Sequence, residues 1–157
     1  MTKSTSRTAS RTVTASASTI FGLLTRPEHH HEIDASGMVG RTRTPGPVGS
    51  TGDVFTMEMT WTCNDVTEEY LTDNLVSVFA TDEQIGWRTG PAGLPPLGWE
   101  WRYLLEPIDA GRTRVTLTYD WTGTSEENLD RYGVPAFAEA ALATSLELLA
   151  QCATRVH

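Results

Sequence analysis

Between Phe55 and Trp61 the chain alternates without a break. Phe55, Met57, Met59 and Trp61 fall on one side, and Thr56, Glu58 and Thr60 on the other. A period of two places one face against a core and the other in water, the pattern of an antiparallel strand. The alternation returns at Ile85, Trp87 and Thr89, at Trp99, Trp101, Tyr103 and Leu105, and at Val115, Leu117, Tyr119 and Trp121. Asp109-Ala110-Gly111 joins the last two runs as a hairpin. Residues 8–14 and 38–44 read as further strands, and residues 67–80 as one strand or two broken near Asp73-Asn74. Pro- and Gly-rich segments at 45–52 and 90–98 are loops.

Two stretches follow helical spacing instead. Ser16 and Ser18 are N-cap candidates for a short helix whose buried face is Ile20, Phe21, Leu23 and Leu24. Pro27 ends it and can open a second short helix through Ile33. Beyond Gly123 the apolar positions Val134, Phe137, Ala138, Ala141, Leu142, Leu146, Leu149, Cys152 and Val156 step by threes and fours. That spacing predicts one C-terminal helix of more than about twenty residues, roughly 30 Å long, with Pro135 in its first turn. The order is a strand, two short helices, about six antiparallel strands and a long helix. A meander sheet with one apolar face needs a cover, and the C-terminal helix is the only element large enough.

A chain of 157 residues is one domain's length. Residues 8–157 are read as that single domain and residues 1–7 as a frayed N-terminus. The net charge of −8, with no Lys/Arg cluster, disfavours nucleic acid as a partner. No run approaches the ~20 apolar residues of a membrane helix, and no signal-peptide pattern opens the chain. Cys63 and Cys152 have no metal-like spacing and read as two buried reduced thiols. A soluble cytoplasmic protein is the expectation.

The sheet face predicted to point inward is unusually bulky: Phe55, Met57, Met59, Trp61, Trp87, Trp99, Trp101, Tyr103, Tyr119 and Trp121. All five tryptophans fall on it. Such a face could be ordinary core. Yet each buried indole N–H needs a partner, and aromatics with a polar edge suit a pocket wall better than an inert interior. Phe137 and Leu142 of the C-terminal helix would close the same space. Arg88 and Arg102, next to inward tryptophans, should point outward.

Several segments resemble the SRPBCC superfamily (START-like, birch-pollen-allergen-like) and, within it, the polyketide cyclase/dehydrase-like branch. They are ASASTIFGLLTRPEH from Ala15, HHEIDASG from His30, TDNLV from Thr72 leading to IGWRT from Ile85, WRYLLEP from Trp101, and TRVTLTYDW from Thr113. The resemblance implies an α+β helix-grip fold: a curved seven-stranded antiparallel sheet wrapped around the long C-terminal helix, with two short helices between strands one and two. It makes loops 45–52 and 90–98 the rim of a ligand cavity. It leaves the activity open between carriers, receptors and cyclases. Domains of this kind often form homodimers, though no exposed apolar stripe marks an interface.

Candidate chemistry gathers at His29, His30, His31, Glu32 and Asp34. Consecutive helical residues splay by about 100°, so three adjacent histidines do not converge on one metal ion, and none is expected. His30 and Asp34 could pair at i, i+4, or Asp34 could bond backbone N–H groups of the following turn. The expected function is binding of a small apolar or aromatic molecule, lipid- or polyketide-like, in an internal cavity. The alternative is a cofactor-independent cyclase or dehydratase using His30, His31, Asp34 and Tyr103.

Overall fold

A computed structural model of the protein describes residues 4–155. Seven strands form one antiparallel sheet: β1 (Ser6–Val13), β2 (Val39–Thr42), β3 (Val54–Cys63), β4 (Val66–Ala80), β5 (Gln84–Pro91), β6 (Glu100–Asp109) and β7 (Arg112–Asp120). Their order is β1-β7-β6-β5-β4-β3-β2, so β2 to β7 run as a meander and β1 returns to pair with β7. Four helices complete the α+β fold: α1 (Ala17–Leu24), α2 (His30–Ile33), α3 (Glu126–Tyr132) and α4 (Glu139–Arg155).

Local chemistry accounts for most boundaries. Ser16 caps α1, its hydroxyl accepting from the Thr19 N–H at 3.1 Å, and Ile20, Phe21, Leu23 and Leu24 are buried. Pro27 opens a single 3-10 turn that runs directly into α2. Between β6 and β7 the Gly111 N–H donates to Asp109 Oδ1 at 3.0 Å, and Arg112 pairs with the same carboxylate at 2.8 Å.

Several sequence expectations need correction. β1 begins at Ser6, two residues before the predicted strand, because Ser6 and Arg7 pair with Asp120 and Tyr119. Residues 1–3 of the predicted frayed N-terminus, and Val156, lie outside the described residues. β4 is continuous through Asp73-Asn74. The pair does not turn because it bonds sideways: Asp73 accepts from Thr56 Oγ1 at 2.6 Å, and Asn74 Nδ2 donates to the Phe55 carbonyl at 3.3 Å. Trp99 and Trp121 sit just outside β6 and β7 rather than on them. Cys63 is exposed at the tip of the β3–β4 hairpin, beyond the reach of the core, whereas Cys152 is buried.

The C-terminal helix differs most. Ser125 caps α3, and Gly133, at φ 66°, ends it in the left-handed region, where its N–H donates to the Leu129 carbonyl. Val134 to Ala138 form a non-helical link, so Pro135 precedes the long helix instead of opening it. The remaining α4 has 17 residues, about 26 Å at the usual rise. It buries Leu142, Leu146, Leu149, Cys152 and Ala153 chiefly against β1, β7, α1 and α2. The core sits there, with Val13, Ile20, Leu24, Val115 and Leu149 fully buried. The concave face of β3 to β6 is therefore not filled by helix backbone.

Candidate functional site

The space left over is a cavity of about 350 Å³ between the concave face and the helical layer. That is within the range of small-molecule sites. Its long wall is aromatic, and strand pairing explains why. Trp87 is the cross-strand partner of Trp101, and Trp101 of Tyr119, so the three rings lie in one row across β5, β6 and β7. Trp101 and Tyr119 stack with centroids 4.2 Å apart and planes 5° from parallel. Phe137, from the link after α3, leans on both. That link is anchored at Ala136, whose N–H donates to the Tyr119 hydroxyl at 3.3 Å. Met57 and Met59 of β3 supply a flexible opposite side.

One row lower the wall turns polar. Phe55 pairs with Asn74, and Asn74 with Thr89. Asn74 is 5% exposed. Its Oδ1 accepts from the Thr89 hydroxyl at 2.8 Å, and its Nδ2 reaches Thr72 Oγ1 at 3.4 Å. All three side chains line the cavity. The row thus offers an uncharged hydroxyl donor and hydroxyl lone pairs to a bound molecule.

The third part of the site comes from α2 and the turn after it. His30 is buried, stacks on Trp87 at 4.8 Å, and donates from Nε2 to the Leu24 carbonyl at 2.8 Å. Loss of hydration pulls its pKa down to about 4, so the ring is neutral near pH 7 with its lone pair on Nδ1. Asp34 follows the last turn in extended conformation and does not pair with His30. It accepts from Ser36 N at 3.0 Å and from the Ser36 hydroxyl. Burial raises its pKa despite those bonds. Tyr103 is 6% exposed, lines the cavity, and has no hydrogen-bond partner for its hydroxyl among the described residues. Burial first, then the charge of Asp34, pushes its ionisation upward, so the phenol stays protonated.

The predicted site residues separate cleanly. His30, Asp34, Tyr103, Phe55, Met57, Met59, Trp87, Trp99, Trp101, Tyr119 and Phe137 all line the cavity. His31 does not: it faces solvent beside Glu32, because the next residue of a helix points about 100° away from its neighbour. Trp61 is 47% exposed, since β3 continues past the covered part of the sheet. Trp121 is buried against the Arg7 guanidinium on the β1 side, and Leu142 in the helix–sheet core. Loop 45–52 contributes no lining residue. Its Val48 tucks towards α1, held by a bond from its N–H to the Thr25 carbonyl. Loop 90–98 does reach the cavity through Gly90, Pro91 and Leu97. Arg88 and Arg102 point outward as expected, both onto the Glu100 carboxylate. Thr72, Asn74 and Ser145 were missed, although strict alternation from Val76 back through Asn74 to Thr72 would have found the first two. Among the described residues no group of three or more His, Cys, Asp or Glu side chains is placed to hold a metal. No described helix is long and apolar enough to cross a membrane.

Comparison with known proteins agrees with this architecture. A family described as polyketide cyclase / dehydrase and lipid transport matches residues 4–154. An uncharacterized protein of Mycobacterium tuberculosis is 28% identical over 131 residues, covering 82% of this chain and 54% of that protein. The chain thus spans about half the length of this curated relative. Three solved structures share the fold. A protein from Mycobacterium smegmatis superposes with TM-score 0.66 at 15% identity, covering 98% of this chain and 93% of that one. The Zhui aromatase/cyclase from a Streptomyces species gives 0.63 at 13% identity, covering 96% and 93%. Norcoclaurine synthase from Thalictrum flavum, in complex with dopamine and hydroxybenzaldehyde, gives 0.62 at 14% identity, covering 97% and 87%. At these identities the likeness concerns the fold alone.

Proposed function

Because the chain belongs to the polyketide cyclase/dehydrase and lipid transport family, we propose that it binds a small aromatic or apolar molecule in the cavity between β3–β7 and the helical layer. One observation carries the reading: an aromatic row, Trp87, Trp101 and Tyr119, borders a cavity of about 350 Å³ that the C-terminal helix leaves open. Burying about 250 Å² of apolar ligand surface would contribute ~6 kcal/mol before ordering costs. The polar row around Asn74 would orient the ligand. The free thiols suit a reducing compartment, and the acidic charge disfavours nucleic acid, so we read the protein as a cytoplasmic single domain.

The test is native mass spectrometry of the purified protein, followed by denaturing extraction and a titration of the extracted class of molecule. Specific saturable binding, weakened at least about tenfold by Trp101→Ala, supports the reading. Binding that Trp101→Ala leaves intact would place the ligand elsewhere.

The unpartnered Tyr103 hydroxyl favours a second reading, a cofactor-independent cyclase or dehydratase. A protonated phenol facing the cavity can donate to a carbonyl that gains negative charge, and the His30 Nδ1 lone pair can accept a proton. On a turned-over substrate, Tyr103→Phe would then lower kcat about a hundredfold with little change in KM. Equal effects on binding and turnover would leave Tyr103 a ligand-binding group only.

A further inference from the structure

The charges around the cavity are distributed unevenly. Among the described residues no lysine or arginine lines it. His30, the only lining imidazole among the described residues, donates its Nε2–H to the Leu24 carbonyl and stays neutral. Two guanidinium groups touch the wall residues from outside: Arg131 lies 5.7 Å from the Tyr132 ring centroid, and the other is Arg7, behind Phe137. The Arg7 guanidinium sits 5.5 Å from the Trp121 ring centroid and donates to the Phe137 carbonyl. The single acidic lining residue is Asp34, whose carboxylate already accepts two bonds from Ser36. The other polar side chains on the wall are neutral, among them Ser36, Thr72, Asn74, Thr89, Ser145 and the tyrosine hydroxyls.

Building on the ligand-binding function proposed above, we infer that the cavity selects by charge, admitting uncharged aromatic molecules that carry a hydroxyl or carbonyl and rejecting carboxylates of the same shape. An anion entering this space would lose its hydration without meeting a cation. Its oxygens would also approach Asp34. A neutral hydroxyl or carbonyl loses less and is repaid by the Thr72–Asn74–Thr89 row or by Tyr103. At an interior packing density of about 0.75 the cavity accepts a ligand of roughly 260 Å³, ample for a fused bicyclic probe and for larger ring systems. Free fatty acids, despite their apolar tails, are excluded on the same ground.

Equilibrium dialysis of the full chain at neutral pH against 2-naphthol and 2-naphthoate tests this with one ring system and two charges. The expected result is retention of 2-naphthol at least about tenfold tighter than 2-naphthoate. Asp34→Asn should narrow that ratio by strengthening naphthoate binding. Equal binding of the two probes, or tighter naphthoate, would overturn the charge selection and leave the cavity reading standing. Retention of neither probe, with the chain folded by circular dichroism, would overturn both.

Discussion

Burying the His30 imidazole makes stability depend on pH with a definite sign. Desolvation lowers its pKa from 6.5 to about 4 in the folded chain. Above pH 6.5 the ring is neutral folded or unfolded and there is no penalty. As pH falls from 6.5 towards 4 the unfolded chain takes up a proton that the folded chain refuses, and stability is lost. The loss saturates at about 3 kcal/mol below pH 4. Urea unfolding at pH 7.5 and at pH 4.5 should therefore show a marked drop for the wild type and a smaller one for His30→Gln. Equal drops would mean that the proton uptake belongs to other groups. Tyr103 behaves oppositely. Its hydroxyl has no partner among the described residues, so Tyr103→Phe should change unfolding free energy by less than about 0.5 kcal/mol while weakening a hydroxyl- or carbonyl-bearing ligand several-fold. A loss of stability without loss of affinity would contradict its placement at the cavity. The alternation of Phe55, Met57 and Met59 was enough to put these residues inside. The turn signal at Asp73-Asn74 hid Asn74, although alternation back from Val76 carries it inward, and the bonds to Phe55 and Thr89 show why an amide is buried mid-strand.

Among the elements, loop 90–98 packs on the segment after β7, next to the cavity-lining Leu97 and Trp99. Gly98 adopts φ +114°, and a Cβ there would lie 2.2 Å from the Gly123 carbonyl oxygen. Both a left-handed backbone and a backbone-to-backbone clash oppose any side chain. Gly98→Ala should cost about 2 kcal/mol or more in thermal or urea unfolding and should displace Trp99, weakening ligand binding as well. A wild-type melting temperature would show that the loop sits differently. The helical layer teaches where periodicity misleads. Val134 and Phe137 continue the spacing of α4 because the link that carries them is also partly buried, against Tyr119 and Trp101. The break was nonetheless written in Gly133 followed by Pro135, the sequence of a left-handed helix end with a proline just beyond. Reading that signal first would have moved Phe137 from helix to cavity wall for the right reason.

For the whole molecule, the decisive feature is where α4 lies. It covers β1 and β7 and leaves the concave face of β3 to β6 to side chains and open space. The segments that resemble the superfamily carried this architecture in outline, while the division of five tryptophans into cavity and non-cavity members depended on strand ends that alternation does not define. That division supplies the most direct measurement. A uniformly 15N-labelled sample gives one indole N–H resonance for each of the five tryptophans. Titration with 2-naphthol should shift the resonances of Trp87, Trp99 and Trp101, and leave Trp61, at the exposed hairpin, and Trp121, against Arg7, unmoved. Movement confined to Trp61 or Trp121, or none among Trp87, Trp99 and Trp101 at saturating probe, would contradict a ligand cavity on this face of the sheet.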